Sequence, residues 1–396
     1  MKILHTSDWH IGQKFMRQSR GEEHQAFFSW LFETIVEKKI DVLIVSGDIF
    51  DTGTPPNYAL ALYYNFLKRL LSLSSLTVII TAGNHDSVST LKAPKELLEI
   101  MNIFVVTSGN EDENELIPIY KDGELQGLVC AVPFLRDSVV RKAISGQTVN
   151  EKETSLNKGI KQHYIDIYEK AKLFSKDKKV PIIATGHLTT VGKITTSESE
   201  RDIYIGGTLD IGSDFLGKYF DYVALGHLHI NQTVGLNHVR YSGSPIPLSF
   251  SEASQTKRVN VVTFEEDSVE VEELEIPLYR KLLLLKGDQE YLEKELEKVE
   301  DKTTWIEIHL KDNNPSFAHQ VLREYADELE LMVLAIKVDR TEKKLQAKEL
   351  NVVSLSELTP LDVFGRRLGL EELDDEEFKE ELTLTFKKVV EKVVTQ

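Results

Sequence analysis

The sequence predicts an α/β layered fold joined to a smaller α/β unit and a helical C-terminal tail. Three observations carry that prediction. From Met1 to Ile276, short apolar runs alternate with amphipathic stretches, as strands and helices do in a layered α/β domain. The runs DVLIVS (41–46) and LTVIIT (76–81) are short apolar strands, each delivering a polar, glycine-containing segment at its end. After Pro277 the composition shifts, and residues 279–340 read as strand, helix, strand, helix, strand.

Taken in order, Lys2 to Thr6 reads as a buried strand that delivers Ser7-Asp8-Trp9-His10, and residues 22–38 as an amphipathic helix. Asp41 to Ser46 is a strand running into Gly47-Asp48-Ile49-Phe50-Asp51; Pro55 and Pro56 then stand where a helix begins. That helix, 57–73, is apolar on more than one face, which fits deep burial or packing on a second copy of the chain. Leu76 to Thr81 delivers Ala82-Gly83-Asn84-His85-Asp86. Strands follow at Ile103–Val106, Ile117–Tyr120 and Leu128–Pro133, then a charged helical stretch at 151–179. Pro181 to Thr185 ends in Gly186-His187-Leu188, and 189–214 is an irregular Gly/Ser/Thr-rich excursion. Tyr222 to Leu225 leads into Gly226-His227-Leu228-His229, and strands at 258–264 and 268–275 close the unit. The second unit has strands Lys281–Leu285, Thr304–Leu310 and Met332–Val338 with helices at 288–300 and 316–330. A polar linker (341–353) precedes a tail with a capping box at Ser354-x-x-Glu357 and two amphipathic helices. The expected domains are therefore 1–276, 277–342 and 343–396.

The formal charge of −17, with 47 Lys+Arg against 64 Asp+Glu, argues against a chain that grips nucleic acid over a wide basic surface. No run approaches the ~18 apolar residues of a membrane span. The N-terminus is already a strand carrying candidate site residues, so no signal peptide is expected. The one cysteine, Cys130, lies in the apolar run LVCAVPF and reads as a buried thiol; a lone cysteine rules out an intrachain disulfide framework and points to a cytoplasmic setting.

Five segments each end a strand with potential ligands: Asp8/His10, Asp48, Asn84-His85, His187 and His227/His229. Alternate residues of an extended chain share a face, so Asp8 and His10 can reach one point. Alone, Asp-x-His reads as a solvated loop, and most single histidines are satisfied core residues. The recurrence of the design at strand ends argues against both readings, because the crevice at the carboxyl ends of the strands is where α/β sheets bind ligands. Glycines before Asp48, Asn84, His187 and His227 allow close backbone approach. Two carboxylates, one amide oxygen and five imidazoles suffice for two ions with shared coordination. The mixture suits Mn²⁺, Fe²⁺ or Zn²⁺ better than Mg²⁺ or Ca²⁺. Two such ions ~3.5–4 Å apart clamp a phosphate and lower the pKa of a bound water, so phosphate-ester hydrolysis is the chemistry this set serves. His5, His24, His163, His238, His309 and His319 keep an ordinary structural reading.

The motifs D-x-H, GD, GNHD, GH and GHxH, in this order, resemble the calcineurin-like metallophosphoesterase superfamily. The flanking text SDWHIG, SGDIFDTGTPP, TAGNHDS, ATGHLTTVGK, RDIYIGGTLD, ALGHLHINQ and HVRYSGSPIPLSFSE is similar to the SbcD-type bacterial nuclease subunits. The resemblance runs densely over 1–275 and by layout alone beyond it. It implies a layered β-sandwich flanked by helices, with a small α/β capping domain that binds DNA. It implies two Mn²⁺ ions, the first held by Asp8, His10, Asp48 and His229 and the second by Asp48, Asn84, His187 and His227. Asp48 would bridge them, and His85 would sit beside the phosphate as acid or transition-state donor. Asp86 is the expected orienting partner of His85.

The implied activity is double-strand exonuclease and single-strand or hairpin endonuclease action in DNA end processing, recombination, replication and repair. The implied partner is an SbcC-like coiled-coil ATPase, with a homodimer of this chain inside a heterotetramer left open. The chain has no Gly-x-x-x-x-Gly-Lys-[Ser/Thr] loop of its own, so ATP dependence would be borrowed. A partner would also offset the acidic balance, and the unpaired apolar faces of the tail offer it a docking surface. Two rival readings are a phosphatase or cyclic-nucleotide phosphodiesterase acting on small esters, and a scaffold whose site has decayed. The first needs neither the extra α/β unit nor the tail, and the second is at odds with a full ligand set.

Overall fold

The computed structural model describes residues 1–110, 113–140, 149–176, 178–190, 211–265, 268–312 and 315–338, together with Phe364, 382–383 and 385–386. The chain forms two compact units, Met1–Val338 and Asp339–Gln396. In the second unit the rings of Phe364 and Phe386 stack with centroids 4.1 Å apart. The expectations for the 191–210 part of the excursion, the 341–353 linker and the rest of the tail lie outside the described residues.

The first unit is built on two six-stranded sheets packed face to face. One has the order Val269–Glu275, Arg258–Phe264, Lys2–Thr6, Val42–Ser46, Thr77–Thr81, Ile103–Val106. The other runs Gln232–Val234, Leu236–Tyr241, Tyr222–Gly226, Ile182–His187, Glu124–Cys130, Leu116–Lys121. Period-two alternation assigns the faces. Ile3, Val42, Ile44 and Ile79 point inward to meet Ile183, Tyr222 and Ala224 of the second sheet. Leu4, Leu43, Val45, Val78 and Ile80 point outward against the helices Gly21–Lys38 and Asn57–Leu70. On the far side Ile182, Ala184, Val223 and Leu225 pack under Val149–Ser175 and Ser213–Tyr219. Both faces of the central strands are therefore covered, which is why they read as continuous apolar runs.

Most strands and helices fall within a few residues of the sequence expectation. The 57–73 helix stops at Leu70, with Ala59, Tyr63, Phe66, Leu67 and Leu70 buried in the fold. The short hairpin Lys14–Phe15/Gln18–Ser19 and the short helices Val88–Lys92 and Lys95–Ile100 lie outside the sequence expectation, being too short for periodicity to register. Cys130 is buried, and burial pushes its thiol pKa up. Among the described residues, no helix is long and apolar enough to cross a membrane.

A third sheet, all parallel, takes Leu282–Gly287, Trp305–Leu310 and Met332–Val338 in chain order, backed by Gln289–Glu297 and Pro315–Glu328. It is fastened to the larger sandwich through Trp305. This indole is 2% exposed, stacks on Phe15 with ring centroids 5.5 Å apart, and clusters with Phe250 and Leu282. The guanidinium groups of Arg20 and Arg280 lie 5.3 and 4.7 Å from its ring. Buried Arg20 is fixed in turn by Glu23 (2.5 and 2.8 Å) and by the Pro247 carbonyl oxygen at 2.7 Å.

Candidate metal centre

The strand Lys2–Thr6 ends where Trp9 leaves for the core. Trp9 packs edge-on against Phe27, Phe28 and Phe66, and its indole N–H donates to Thr6 Oγ1 at 3.0 Å. With Trp9 anchored under the helices, Asp8 and His10 on either side of it face the other way, into the crevice. They do not get there by strand alternation, as the sequence suggested. Asp8 and His10 both take left-handed backbone angles (φ 52° and 45°), so a tight turn aims them together. Asp48 (φ 50°) and His227 (φ 97°) are left-handed as well. Such conformations disfavour side-chain-bearing residues by about 1 kcal/mol or more each, and they persist where surrounding structure holds them for a function.

Backbone bonds knit the turns to one another. The N–H groups of Asp8 and His10 donate to the carbonyl oxygens of Gly47 and Asp48, both at 3.0 Å. Asp8 Oδ1 accepts from the N–H of His227 at 2.9 Å, and Asp48 Oδ1 from that of His85 at 2.9 Å. Two glycines are required by this crowding. A Cβ at Gly47 (φ 89°) would collide with the His187 ring, and one at Gly83 with the Asp48 carboxylate.

All seven expected ligands are brought together. Donor atoms of Asp8, His10 and His229 lie within 4.8 Å of one another, as do those of Asp8, Asp48 and His187. Asp48 Oδ2 stands between the two groups, 3.6 Å from His10 Nε2 and 3.2 Å from His187 Nε2. Asn84 Oδ1 is 3.0 Å from the same His187 nitrogen, and the His227 ring centroid is 5.4 Å from that of His187. All are buried except Asn84 and His85, which are half-buried at the rim. The His85 ring lies 4.8 Å from that of His10.

The residue against His85 differs from the sequence expectation. His85 Nδ1 meets the backbone carbonyl oxygen of Asp51 at 2.7 Å. The Asp86 carboxylate is engaged elsewhere, accepting from the N–H groups of Ile49 (3.1 Å), Phe50 (3.0 Å) and Gly83 (2.8 Å). It cross-links the turn carrying Asp48 to the turn carrying Asn84. Proximity in sequence suggested a ring partner, but three backbone donors converging on one buried carboxylate outcompete an imidazole. Because a carbonyl only accepts, His85 carries its proton on Nδ1, which leaves the lone pair on Nε2.

Two acidic residues outside the expected ligand set stand against its histidines. Asp51 Oδ1 stands 3.3 Å from His10 Nδ1, and Glu252 Oε1 3.5 Å from His229 Nδ1. Asp51 is three residues past Asp48, close enough that GDIFD could have flagged it. Glu252 closes the stretch HVRYSGSPIPLSFSE, but nothing in its spacing there marks it as a neighbour of His229.

The electrostatics pull the titratable groups apart. Burial raises the pKa of Asp8 above the usual carboxylate range. Burial would do the same to Asp48, but the charges of His187, His10 and His85 outweigh it and hold Asp48 well below that range. His187 is lifted to about 9, its burial overcome by Asp48, whereas burial and the charge of His187 press His227 down to about 3. Such divergence within one cleft marks a functional cluster. A divalent cation fits this donor set. Neither ring nitrogen of buried His10 has a hydrogen-bond partner although two carboxylates stand close by, and mixed carboxylate, amide and imidazole donors suit borderline metals. His5, His24, His163, His238 and His309 bond to groups outside this cluster, as their ordinary reading anticipated.

With this geometry in hand, residues 1–231 match the family model described as calcineurin-like phosphoesterase. The chain belongs to that family. Residues 278–372 of the phosphoesterase match a second model, described as type 5 capsule protein repressor C-terminal domain. Its curated relatives include the D subunit of nuclease SbcCD from Escherichia coli (strain K12), 40% identical over 387 residues, 95% of this chain and 94% of that one. The protein of the same name from Staphylococcus epidermidis (strain ATCC 12228 / FDA PCI 1200) is 31% identical over 320 residues, 80% of each chain. The solved structure of TT1561 of Thermus thermophilus overlaps 69% of this chain and 98% of its own at 13% identity, with a TM-score of 0.38, too low to add to the sequence match.

Proposed function

We propose that this phosphoesterase is the two-metal nuclease subunit of a complex with an SbcC-like coiled-coil ATPase, cleaving phosphodiester bonds at DNA ends and hairpins. The observation that carries the reading is the convergence of five strand-end turns on one buried crevice, four of their residues in left-handed backbone conformations. Asp8, His10, Asp48 and His229 would hold one divalent ion and Asp48, Asn84, His187 and His227 the other, with Mn²⁺ the best chemical fit. When bound, the ions supply a Lewis-acid clamp on the phosphate and a water acidic enough to act near neutrality.

The chain's own residues do the rest. Asp48 has one oxygen, Oδ1, fixed by the His85 N–H, and its carboxylate would be shared by both ions. His85 at the rim, its Nδ1 proton committed to the Asp51 carbonyl, offers Nε2–H to the leaving oxygen when protonated. The half-exposed position lets it reach a substrate that the buried ligands cannot. Residues 1–276 would form the nuclease domain, 277–342 a cap over DNA, and 343–396 the linker and partner-binding tail. The relatives are D subunits of SbcCD nucleases, which supports the partnership, and a basic ATPase surface would compensate the net charge of −17.

The test is cleavage of hairpin and blunt-ended DNA with Mn²⁺, with and without the ATPase, against a chelator control. Metal-dependent cleavage, stimulated by ATP only when the partner is present, is expected. Turnover of a generic phosphodiester with inertness toward both DNAs would replace this reading by the small-ester one.

A further inference from the structure

We infer that Glu252 is a positioning residue of the metal centre, holding His229 in the tautomer that carries its proton on Nδ1 and its lone pair on Nε2. The inference rests on the two-metal reading and extends it to a residue outside the strand-end turns.

Glu252 closes the 3₁₀ turn Phe250–Glu252 and is wholly buried. Its Oε1 faces His229 Nδ1 at 3.5 Å. Its Oε2 accepts from Lys257 Nζ at 2.5 Å and from the N–H of Leu248 at 3.1 Å. Lys257, also buried, donates to the backbone carbonyl oxygen of His229 at 2.9 Å and to Ser244 Oγ at 3.0 Å. The lysine–glutamate pair thus grips His229 twice, at its backbone and at its ring. A carboxylate accepts and never donates, so Nδ1 must carry the proton and Nε2 keeps its lone pair. A carboxylate behind an imidazole also raises its basicity and fixes its plane, and loss of such a partner typically weakens metal affinity 10–100-fold. The opposite half of the centre is built differently, for His187 Nδ1 is backed by the neutral carbonyl oxygen of Ser46 at 3.0 Å.

Glu252→Gln makes a sharp test because a carboxamide has one acceptor. Lys257 and the Leu248 N–H together claim its oxygen, which turns the NH₂ toward Nδ1. His229 must then accept at Nδ1, and its proton moves to Nε2. In metal-free protein labelled with ¹⁵N at histidine, the wild type should report His229 protonated on Nδ1, and the variant should report it protonated on Nε2. Calorimetry should find two Mn²⁺ bound to the wild type and, in the variant, one position weakened on the order of 10–100-fold. Should Glu252→Gln fail to fold, Glu252→Leu combined with Lys257→Met removes both buried charges and leaves neither unpaired. That double variant, with a wild-type thermal midpoint, should still bind Mn²⁺ at least tenfold more weakly at one position. An unchanged tautomer with both affinities within twofold of wild type overturns the inference. A wild type that binds no Mn²⁺ refutes the two-metal reading instead, and the tautomer measurement then decides the role of Glu252 by itself.

Discussion

Asp86 offers the most direct test of how the centre is assembled. Its carboxylate takes up three backbone N–H groups, two on Oδ2 (Ile49, Gly83) and one on Oδ1 (Phe50), at a site 2% exposed. Asp86→Ala strands all three, and a buried unsatisfied amide costs about 1–3 kcal/mol, so a loss of about 3–6 kcal/mol is expected after partial relaxation. Asp86→Asn is the instructive companion. Its single oxygen can serve Ile49 and Gly83, but its NH₂ then faces the Phe50 N–H, donor against donor. One bond is lost and one clash gained, for about 1–3 kcal/mol.

Urea unfolding followed by tryptophan fluorescence, with chelator present so that metal binding does not enter, should rank wild type, Asn and Ala in that order of stability. Because Asp86 ties the turn of Asp48 to the turn of Asn84, Mn²⁺ affinity should fall in the same order when the chelator is removed. An alanine variant within 1 kcal/mol of wild type would refute the clamp. So would an asparagine variant as damaged as the alanine one, since that places the effect in the charge and not in the count of acceptors.

The other expectations are simpler. His85→Gln should retain both Mn²⁺ ions by calorimetry while losing DNA cleavage by 100-fold or more; loss of an ion would make His85 a ligand. Asp48→Ala should empty both positions, and one well-occupied ion afterwards would exclude a shared carboxylate. Trp305→Ala should cost roughly 3–5 kcal/mol and open residues 277–281 to protease, since that ring joins the third sheet to Phe15 and Phe250; unchanged cleavage would show the cap is held elsewhere. His5 is buried and neutral, its Nε2–H donated to the Leu225 carbonyl and its Nδ1 accepting from Tyr222, with burial lowering its pKa from 6.5 to about 3. The unfolded chain takes up this proton from pH 6.5 downward and the folded chain only near pH 3, so stability is full above pH 6.5 and falls below it. At pH 4.5 the loss works out to about 3 kcal/mol. In His5→Gln, whose amide can serve both partners, the fall in urea midpoint between pH 7 and pH 4.5 should be correspondingly smaller; an equal fall acquits His5.

What the sequence alone determined are the properties that live within a few residues of one another. Alternation and unbroken apolar runs place the central strands, because a strand's two faces are written into neighbouring residues. The candidate ligands were legible for the same reason, since DWH, GDIF, GNHD, GH and GHLH each join a turn-forming residue to a donor side chain at a strand end. Tertiary structure alone decided what those donors lean on. Glu252 pairs with nearby Lys257 and reaches His229 across 23 residues of sequence, a gap that only the packed sheets close. The same holds for Asp86, where proximity in sequence named His85 and the fold supplied three amides from two separate turns. Left-handed angles at Asp8, His10, Asp48 and His227 are likewise invisible in residue order, because a strained backbone is a property of the neighbours that hold it there. Side-chain chemistry is encoded locally; orientation, tautomer and charge state belong to contacts made only once the chain has folded.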